Sequence, residues 1–330
     1  MYNNLPFVSV VMSMFNEEKF ISKCLSSLLI QDYPKDNFEV IIVDSGSTDK
    51  SVDLVNSFSS RFNNLHLVLL NKKVPITIAL NEGIKNSNGE IIARLDCHVE
   101  APPDYLSISA SALMNNDAEL ISGIICPVGE NSVSKSIAAS LSSDFGIGEA
   151  KLYHYNTPVY AKRGYLGVFY KEFVTNLGLY DEKLSGADDF DLFYRIKQIN
   201  KRILVIPDIK MKYYCRDSFK ALSKQYYKYG VTKVVAFKKY RKILSLKSVL
   251  PALMLLLVLL FFIISLFWKP VLIVNLLLVS LYFLISSGFA IYNVIKFKNT
   301  NFFNNVFTYW ILHLSHSLGF LKGFFCNKYE

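Results

Sequence analysis

Two short apolar runs, each ending in a polar loop, decide the fold: VSVVMSMFNEE at residues 8–18 and VIIVDSGSTDKS at residues 40–51. Both runs are short and mostly apolar, which predicts two buried β-strands. Apolar residues with helical spacing follow the first loop, at Ile21, Leu25 and Leu28. A strand, a loop and a helix in repetition predict an α/β domain with a mostly parallel sheet.

The same alternation continues toward residue 126. Further strands and helices are predicted at residues 65–70, 76–84, 90–95, 104–114 and 119–126. Ligands of open α/β sheets bind at the carboxyl ends of the strands. The loops that carry Asp44 and Asp96 fall at those ends, so we expect a binding site there. The pattern is weakest from 129 to 158, where we predict irregular structure.

The net charge of +9 is concentrated in one segment. Residues 210–247 contain twelve Lys or Arg and one acid, Asp217, and a long apolar stretch follows directly. Basic residues beside a membrane segment are attracted to anionic lipid headgroups and favour the cytoplasmic side. We therefore expect membrane lipids, and no nucleic acid, as the partner of these charges.

Three apolar stretches predict a membrane region, with helices at about 249–268, 270–292 and 302–325. The first two carry no charge and are long enough to cross a hydrocarbon core of about 30 Å. Lysines flank the open side of this hairpin, so we expect both flanks in the cytosol. The third stretch contains polar residues and can span, re-enter or lie in the interface. We predict a third membrane helix.

The expected domains follow from these segments: a catalytic domain at 1–235, a basic juxtamembrane segment at 236–247 and a membrane region at 248–330. The five cysteines are odd in number and lack zinc-like spacing, which fits a reducing compartment. The N-terminus lacks the features of a signal peptide. We therefore expect a multi-pass protein of the cell membrane whose catalytic domain is cytoplasmic.

The loops after the first two strands contain Asn16, Glu17, Asp44 and Ser45. A carboxylate such as Asp44 can accept hydrogen bonds from a nucleobase or ribose, while hydroxyls and backbone N–H groups can face a phosphate. Ordinary helix capping explains the same residues when they are taken alone. This constellation therefore allows a nucleotide site without proving one.

Asp96 and His98 lie in RLDCH, residues 94–98, at the end of the fourth predicted strand. Alternation along a strand would aim both side chains the same way. A carboxylate and an imidazole in this arrangement can hold Mg²⁺ or Mn²⁺ that also binds a diphosphate, and the nitrogen ligand favours Mn²⁺. A surface aspartate beside a satisfied histidine is the alternative.

Asp188, Asp189 and Asp191 open an amphipathic helix predicted at 188–199. The helix dipole stabilises acids at this position. One carboxylate facing a bound sugar can instead act as a general base that deprotonates an acceptor hydroxyl. Capping and catalysis explain the cluster equally well.

Gln225 and Lys228 lie within QYYKYG, residues 225–230, inside the basic segment. Their amide and ammonium groups can contact a pyrophosphate or an acceptor. A belt of aromatic residues and lysines at a membrane interface is the alternative.

The order and spacing of these motifs, from Pro6 to Gly230, resemble those of family 2 glycosyltransferases. The similarity is greatest to the membrane-tethered, succinoglycan-type members, whose C-terminal region is similar to HSLGFLKG at 316–323. This resemblance implies a GT-A fold followed by C-terminal transmembrane helices. It also implies a nucleotide-sugar donor and a divalent metal ion, Mn²⁺ or Mg²⁺.

The resemblance also implies roles for individual residues. Asp189 is the expected catalytic base, with Asp188 and Asp191 in acceptor or supporting roles, and Asp96 with His98 replaces the family's Asp-x-Asp metal motif. The residues expected to bind the donor are Asn16, Glu17, Asp44, Ser45, Asp96, Gln225 and Lys228. The sequence departs from the family pattern at His98, Asp188, Lys228 and Tyr229.

The predicted function is an inverting glycosyltransferase that moves a sugar to a polyprenyl-lipid-linked saccharide in cell-surface polysaccharide or glycan biosynthesis. Alternatives are a polyprenyl-phosphate glycosyltransferase and a non-catalytic, membrane-bound sugar-nucleotide binder. A nucleotidyltransferase is disfavoured because no Gly-rich basic phosphate loop is present near the N-terminus.

Overall fold

A computed structural model describes residues 5–147, 155–241 and 246–326. The chain divides into two compact units. The sheet unit comprises 1–126 and 151–214, and the helical unit comprises 127–150 and 215–330. The domain boundaries expected at 235 and 247 stay predictions, because a division into compact units does not identify the residues that catalyse.

The strands and helices are numbered in chain order. They are β1 Val8–Met14, α1 Ile21–Leu29, β2 Phe38–Asp44, α2 Ser51–Phe58, β3 Leu65–Leu69, α3 Ile76–Lys85, β4 Ile91–Arg94, β5 Val99–Glu100, α4 Tyr105–Asn115, β6 Leu120–Val128, α5 Ser132–Leu141, α6 Asp144–Ile147, β7 Val159–Ala161, β8 Gly167–Tyr170, α7 Lys171–Asn176, α8 Asp188–Gln198, β9 Ile203–Tyr214, α9 Phe219–Tyr240, α10 Leu246–Ser265, α11 Pro270–Lys296 and α12 Phe302–Gly323.

The sheet has the order β3-β2-β1-β4-β8-β6-β9-β5, and β7 pairs with β9. The four strands β3, β2, β1 and β4 are parallel neighbours, whereas β8 runs antiparallel to β4. The predicted α/β class with a mostly parallel sheet is therefore confirmed. The carboxyl ends of β1, β2 and β4 lie at one edge, which brings their loops together.

The central strands are buried on both faces. Val10 of β1 belongs to the same apolar cluster as Leu25 of α1, whereas the next residue, Val11, belongs to the cluster of Leu80 on α3. Helices on both faces explain why these strands read as continuous apolar runs rather than alternating ones. This packing fixes the strand ends that carry the polar loops.

Part of the segment expected to be irregular, 129–158, is helical. It contains α5 and α6, while 148–154 lies outside the described residues. The strands β5, β7, β8 and β9 were also not predicted, and together with the predicted β6 they form the other half of the sheet. The expected strands before residue 128 agree with the structure within about two residues at most ends.

Within the described part of the helical unit, two helices, α10 and α11, are long and apolar enough to cross a membrane by length and composition. Their mean hydropathies are 2.8 and 2.2. Only 266–269 separate them, as the predicted hairpin requires. The third predicted stretch is helical, as α12, but it does not reach the same apolar level, so its crossing of the membrane stays a prediction.

Candidate active site

Asp44 lies at the carboxyl end of β2 and is almost fully buried. Its Oδ2 atom accepts hydrogen bonds from the backbone N–H groups of Gly46, at 2.9 Å, and Ser47, at 3.0 Å. Its Oδ1 atom is also buried and has no hydrogen-bond partner among the described residues. An unpaired buried acceptor costs free energy, so Oδ1 is placed to receive an N–H or O–H group from a ligand.

The loop after β1 is tied to the loop after β2 through Asn16. The Asn16 N–H donates to Ser47 Oγ at 2.9 Å, and the Thr48 N–H donates to Asn16 Oδ1 at 2.8 Å. The Glu17 N–H donates to Ser51 Oγ at 2.7 Å. Asn16 has a positive φ of 55°, a conformation that asparagine adopts more readily than most residues. In this structure, Asn16 holds the two predicted donor-binding loops together.

Glu17 and His98 form a pair that the sequence did not predict. Glu17 Oε1 lies 3.1 Å from His98 Nδ1, and both side chains are largely buried. The His98 ring also packs edge-on against Tyr213. A carboxylate on one ring nitrogen of a histidine fixes the ring and leaves the other nitrogen, Nε2, as the available ligand.

The RLDCH motif does not continue the strand. β4 ends at Arg94, and the Val99 N–H donates to the Asp96 carbonyl at 3.1 Å, which closes a turn over 96–99. The expectation that Asp96 and His98 lie on the strand is therefore wrong, so strand alternation gives no reason for their side chains to point the same way. A turn, which has no fixed two-residue period, sets their directions.

The described residues contain no group of three or more His, Cys, Asp or Glu side chains suited to holding a metal ion. Asp96 and His98 are two candidate ligands of different type, oxygen and nitrogen. The Glu17 contact to His98 is the kind of supporting interaction that accompanies metal-binding histidines. The two side chains are of types that bind divalent ions, and the remaining ligands of such an ion would have to be phosphate oxygens and water.

Arg94 connects the metal motif to the acidic cluster. Its guanidinium is 4% exposed and contacts three carboxylates: Asp188 Oδ2 at 2.8 Å, Asp96 Oδ1 at 3.5 Å, and Asp189 Oδ1 in a close contact. Burial, the largest single effect, lowers the pKa of Arg94, but the facing Asp188, Tyr180 and Asp96 together more than reverse it, so the net pKa is raised. Arg94 therefore stays charged and fixes the carboxylates around it.

The three acids of the cluster have different environments. The Asp188 side chain is 10% exposed and also accepts a hydrogen bond from the Gly186 N–H at 3.0 Å. Asp191 is fully buried and pairs with Arg195, whose guanidinium also donates to backbone carbonyls. The Asp189 side chain is 31% exposed, so within the cluster it is the acid best placed to meet a substrate.

The contacts of the remaining predicted site residues, Ser45, Gln225 and Lys228, do not indicate a specific ligand. Ser45 Oγ, like Asp44 Oδ1, is buried without a partner among the described residues. Gln225 and Lys228 lie on α9 of the helical unit, where Gln225 Nε2 donates to the Tyr229 hydroxyl at 3.0 Å. The roles of these two residues in binding a donor stay predictions.

Arg94 is the first residue of the RLDCH motif, but the sequence alone predicts no role for it. A cation in an otherwise apolar buried strand is unusual, because burying an unpaired charge is costly. That signal pointed to an acidic partner, but it did not identify which acids. Asp188 and Asp189 are about 95 positions away along the chain, so the pairing became visible only in the fold.

The order of the strands and the position of the acidic loops together define the class of protein fold. A parallel half-sheet that ends in acid-bearing loops, followed by antiparallel strands, is the arrangement of a GT-A-type transferase. Comparison with solved structures agrees. A mannosyltransferase from Pyrobaculum calidifontis, solved with GDP-Man and Mn²⁺, superposes with a TM-score of 0.52 at 23% identity, over 71% of this chain and 64% of that one.

Comparison with known sequences gives the family. Residues 91–322 match the model of glycosyl transferase family group 2, and residues 9–171 match glycosyl transferase family 2. A dolichyl N-acetyl-alpha-D-glucosaminyl phosphate 3-beta-D-2,3-diacetamido-2,3-dideoxy-beta-D-glucuronosyltransferase of Methanococcus voltae is 30% identical over 71% of this chain and 75% of its own length. Succinoglycan biosynthesis protein ExoA of Rhizobium meliloti is 26% identical over 73% of each chain. The chain belongs to glycosyl transferase family 2.

Proposed function

We propose that this protein transfers a sugar from a nucleotide-sugar donor to a lipid-linked saccharide at the cytoplasmic face of the cell membrane, with inversion at the anomeric carbon. The observation that supports this most directly is the Arg94 cluster. One buried guanidinium contacts both Asp189, the candidate base, and Asp96, the candidate ligand on the diphosphate side. A base and a leaving-group site held by one side chain suit a single displacement.

In this mechanism, Asp189 accepts the proton of the acceptor hydroxyl as that oxygen attacks the anomeric carbon. The bond to the nucleoside diphosphate breaks on the opposite side of the ring, which inverts the configuration. Asp188 stays paired with Arg94 and fixes the start of α8, so that Asp189 is presented without rearrangement. A divalent ion held by Asp96 and His98 would neutralise the charge that develops on the diphosphate.

Donor binding is assigned to the loops after β1 and β2. The unpaired Oδ1 atom of Asp44 is suited to accept a hydrogen bond from the N–H of a nucleobase. Ser45, the next residue, carries a second buried polar atom without a partner among the described residues. The mannosyltransferase of Pyrobaculum calidifontis was solved with GDP-Man, which supports a nucleotide sugar as the donor class without identifying the base.

The acceptor is assigned from the helical unit and from a relative. The Methanococcus voltae enzyme is named for an acceptor carried on dolichyl phosphate. The apolar α10–α11 hairpin of this chain would hold the protein at a membrane in which such a lipid is dissolved. A lipid-linked saccharide is therefore the acceptor class that we propose.

The test is transfer by the purified full-length protein in lipid nanodiscs. UDP-, GDP- and TDP-sugars are each offered with a polyprenyl-diphosphate saccharide or with a polyprenyl phosphate, with Mn²⁺, Mg²⁺ or EDTA. We expect a metal-dependent product one sugar longer than the saccharide lipid. A product that carries a single sugar on a monophosphate would identify a polyprenyl-phosphate transferase. Binding of nucleotide sugars without any transfer or hydrolysis would contradict catalysis.

A further inference from the structure

The exposed face of α12 is apolar. Phe303, Phe307, Leu314 and Leu318 are between 41% and 67% exposed, and they recur at intervals of four, seven and four residues. This spacing places them on one side of a helix. Trp310 and Ile311, which are half-buried, fill the interval between them and make the stripe continuous.

The opposite face of α12 is buried and largely polar. The Oδ1 atom of Asn305 accepts hydrogen bonds from Asn293 on α11 at 2.9 Å and from Ser140 on α5 at 3.1 Å. The Tyr309 hydroxyl lies 2.9 Å from Ser143 Oγ. A surface helix in water shows the reverse arrangement, with apolar residues inside and polar ones outside. An apolar exterior around a polar interior is expected of a helix that faces lipid.

The helix α9 runs beside α12 in the same direction. Ser223 Oγ of α9 lies 2.9 Å from Ser315 Oγ of α12, and near the other end Lys238 Nζ donates to the Phe324 carbonyl at 2.9 Å. Close to the middle of α9, Gly230 meets the α12 backbone so closely that a Cβ atom would clash. The two helices are therefore packed together from Phe307 of α12 to its C-terminal end.

The charges of α9 exclude a crossing by α12. Lys220, Lys224 and Lys228 are exposed on α9. A helix with several exposed lysines does not enter a hydrocarbon core, because each charge would lose its hydration. If α12 crossed the bilayer, α9 would have to cross beside it. The pair fits a membrane surface instead, with the α9 lysines at anionic headgroups and the α12 stripe below them.

We propose that α12 lies in the plane of the membrane, with its stripe in the boundary between headgroups and acyl chains of the cytoplasmic leaflet. This replaces the expectation that 302–325 forms a third crossing helix. The α10–α11 hairpin in the same unit also exposes apolar side chains along its length, so one lipid phase would cover both surfaces. The proposal rests on the helical unit and is independent of sugar transfer.

The test measures the depth of the stripe in a bilayer. In full-length protein with Cys126 and Cys326 changed to Ser, leaving the buried cysteines in place, single variants Phe303→Cys, Phe307→Cys, Leu314→Cys and Leu318→Cys receive a nitroxide label. These side chains are at least 41% exposed, so the substitutions leave most of the packing of α12 in place, although Phe307→Cys removes a ring contact with Phe219. The labelled proteins are placed in vesicles of phosphatidylcholine and phosphatidylglycerol. The depth of each label is obtained from its accessibility to oxygen, which enriches in the bilayer, relative to Ni-EDDA, which stays in water. Lys224→Cys on α9 is the reference for the level of the headgroups.

We expect higher oxygen than Ni-EDDA accessibility at all four stripe positions and depths that agree within a few ångströms. Positions 303 and 318 are about 22 Å apart along a helix axis, so a crossing helix would place them at very different depths. Such a depth difference would overturn the proposal. So would low accessibility to both reagents, which indicates coverage by a second copy of the chain, or high Ni-EDDA accessibility, which indicates water.

Discussion

Asp189 differs from its two neighbours in being accessible, and this difference gives the first prediction. Asp189→Asn keeps the size of the side chain but removes its capacity to accept a proton. We expect kcat to fall by about 10²- to 10⁴-fold, the usual contribution of a general base, with little change in the KM for the donor. Initial rates over a donor series measure both constants.

Asp191→Asn is the matched control for Asp189→Asn. Asp191 is fully buried against Arg195, so its loss should lower the melting temperature much more than the rate per folded molecule. An Asp189→Asn protein with normal melting and undiminished kcat would remove Asp189 from the mechanism.

Arg94 gives the second prediction, because it compensates several carboxylates at once. Arg94→Met leaves Asp188 buried beside Asp189 without a cation. We expect a loss of about 3–5 kcal/mol in the free energy of unfolding, as is typical when one partner of a buried ion pair is removed. Arg94→Lys should rescue only part of this loss, since an ammonium cannot reproduce the planar fork.

Arg202→Met is the control for Arg94→Met. Arg202 pairs with Asp117, but both side chains are substantially exposed. Exposed pairs contribute about 0–1 kcal/mol, so this variant should melt close to the parent. Denaturant unfolding of the proteins in detergent measures the difference. Equal destabilisation by Arg94→Met and Arg202→Met would contradict the role assigned to Arg94.

At the scale of single elements, the sequence predicted buried strands well and the helix α5 not at all. The strands β1 and β2 are buried on both faces, so their apolar runs are direct evidence of their position. The helix α5, SVSKSIAASL, buries Ser134, Ser136 and Ser140. A helix that buries serines has no apolar periodicity to detect. Its neighbour α12 also buries polar residues, among them Asn305 and Ser315.

β9 was missed for another reason. Ile209 and Met211 are buried and alternate with exposed Asp208, Lys210 and Lys212, so a two-residue period was present. Lys210 and Lys212 also begin the basic segment, so they were attributed to the membrane-facing charge instead.

For the site, the sequence predicted which loops meet, because strand ends of a parallel sheet meet at one edge. It could not predict the ion pairs between distant positions.

The packing of α9 against α12 gives a prediction at this scale. A Cβ atom on Gly319 would lie 2.0 Å from the carbonyl oxygen of Tyr227 on α9. Gly319→Ala must therefore push the helices apart, at a cost of about 1–3 kcal/mol by analogy with overpacked cores. Gly288 on α11 has no atom of the described residues within 4 Å of the same position.

Gly288→Ala is accordingly the matched control. We expect Gly319→Ala to lower the melting temperature in detergent by several degrees and Gly288→Ala to leave it unchanged or slightly raised, since alanine favours helix. If both variants melted alike, α9 and α12 would not pack through this glycine.

At the scale of the whole molecule, the distribution of positive charge predicts which segments lie on which side of the membrane. The excess of positive charge lies in 210–247, and Lys296 and Lys298 follow α11. The turn between α10 and α11 carries one cation, Lys269. Positive residues are retained on the cytoplasmic side, so this bias predicts that both ends of the hairpin face the cytoplasm and the turn faces outward. Nucleotide sugars are made in the cytosol, which is where the site would then need to be.

The orientation is tested with the positions Lys269→Cys and Lys298→Cys, both exposed in the structure, in protein with Cys126 and Cys326 changed to Ser. In intact expressing cells, a maleimide that cannot cross membranes should label Lys269→Cys, whereas Lys298→Cys should react only after lysis. A third lysine-to-cysteine variant, Lys224→Cys on α9, should behave like Lys298→Cys. Labelling of Lys298→Cys in intact cells would place the flanks of the hairpin outside, away from the cytosolic pool of donors, and would contradict the proposed orientation.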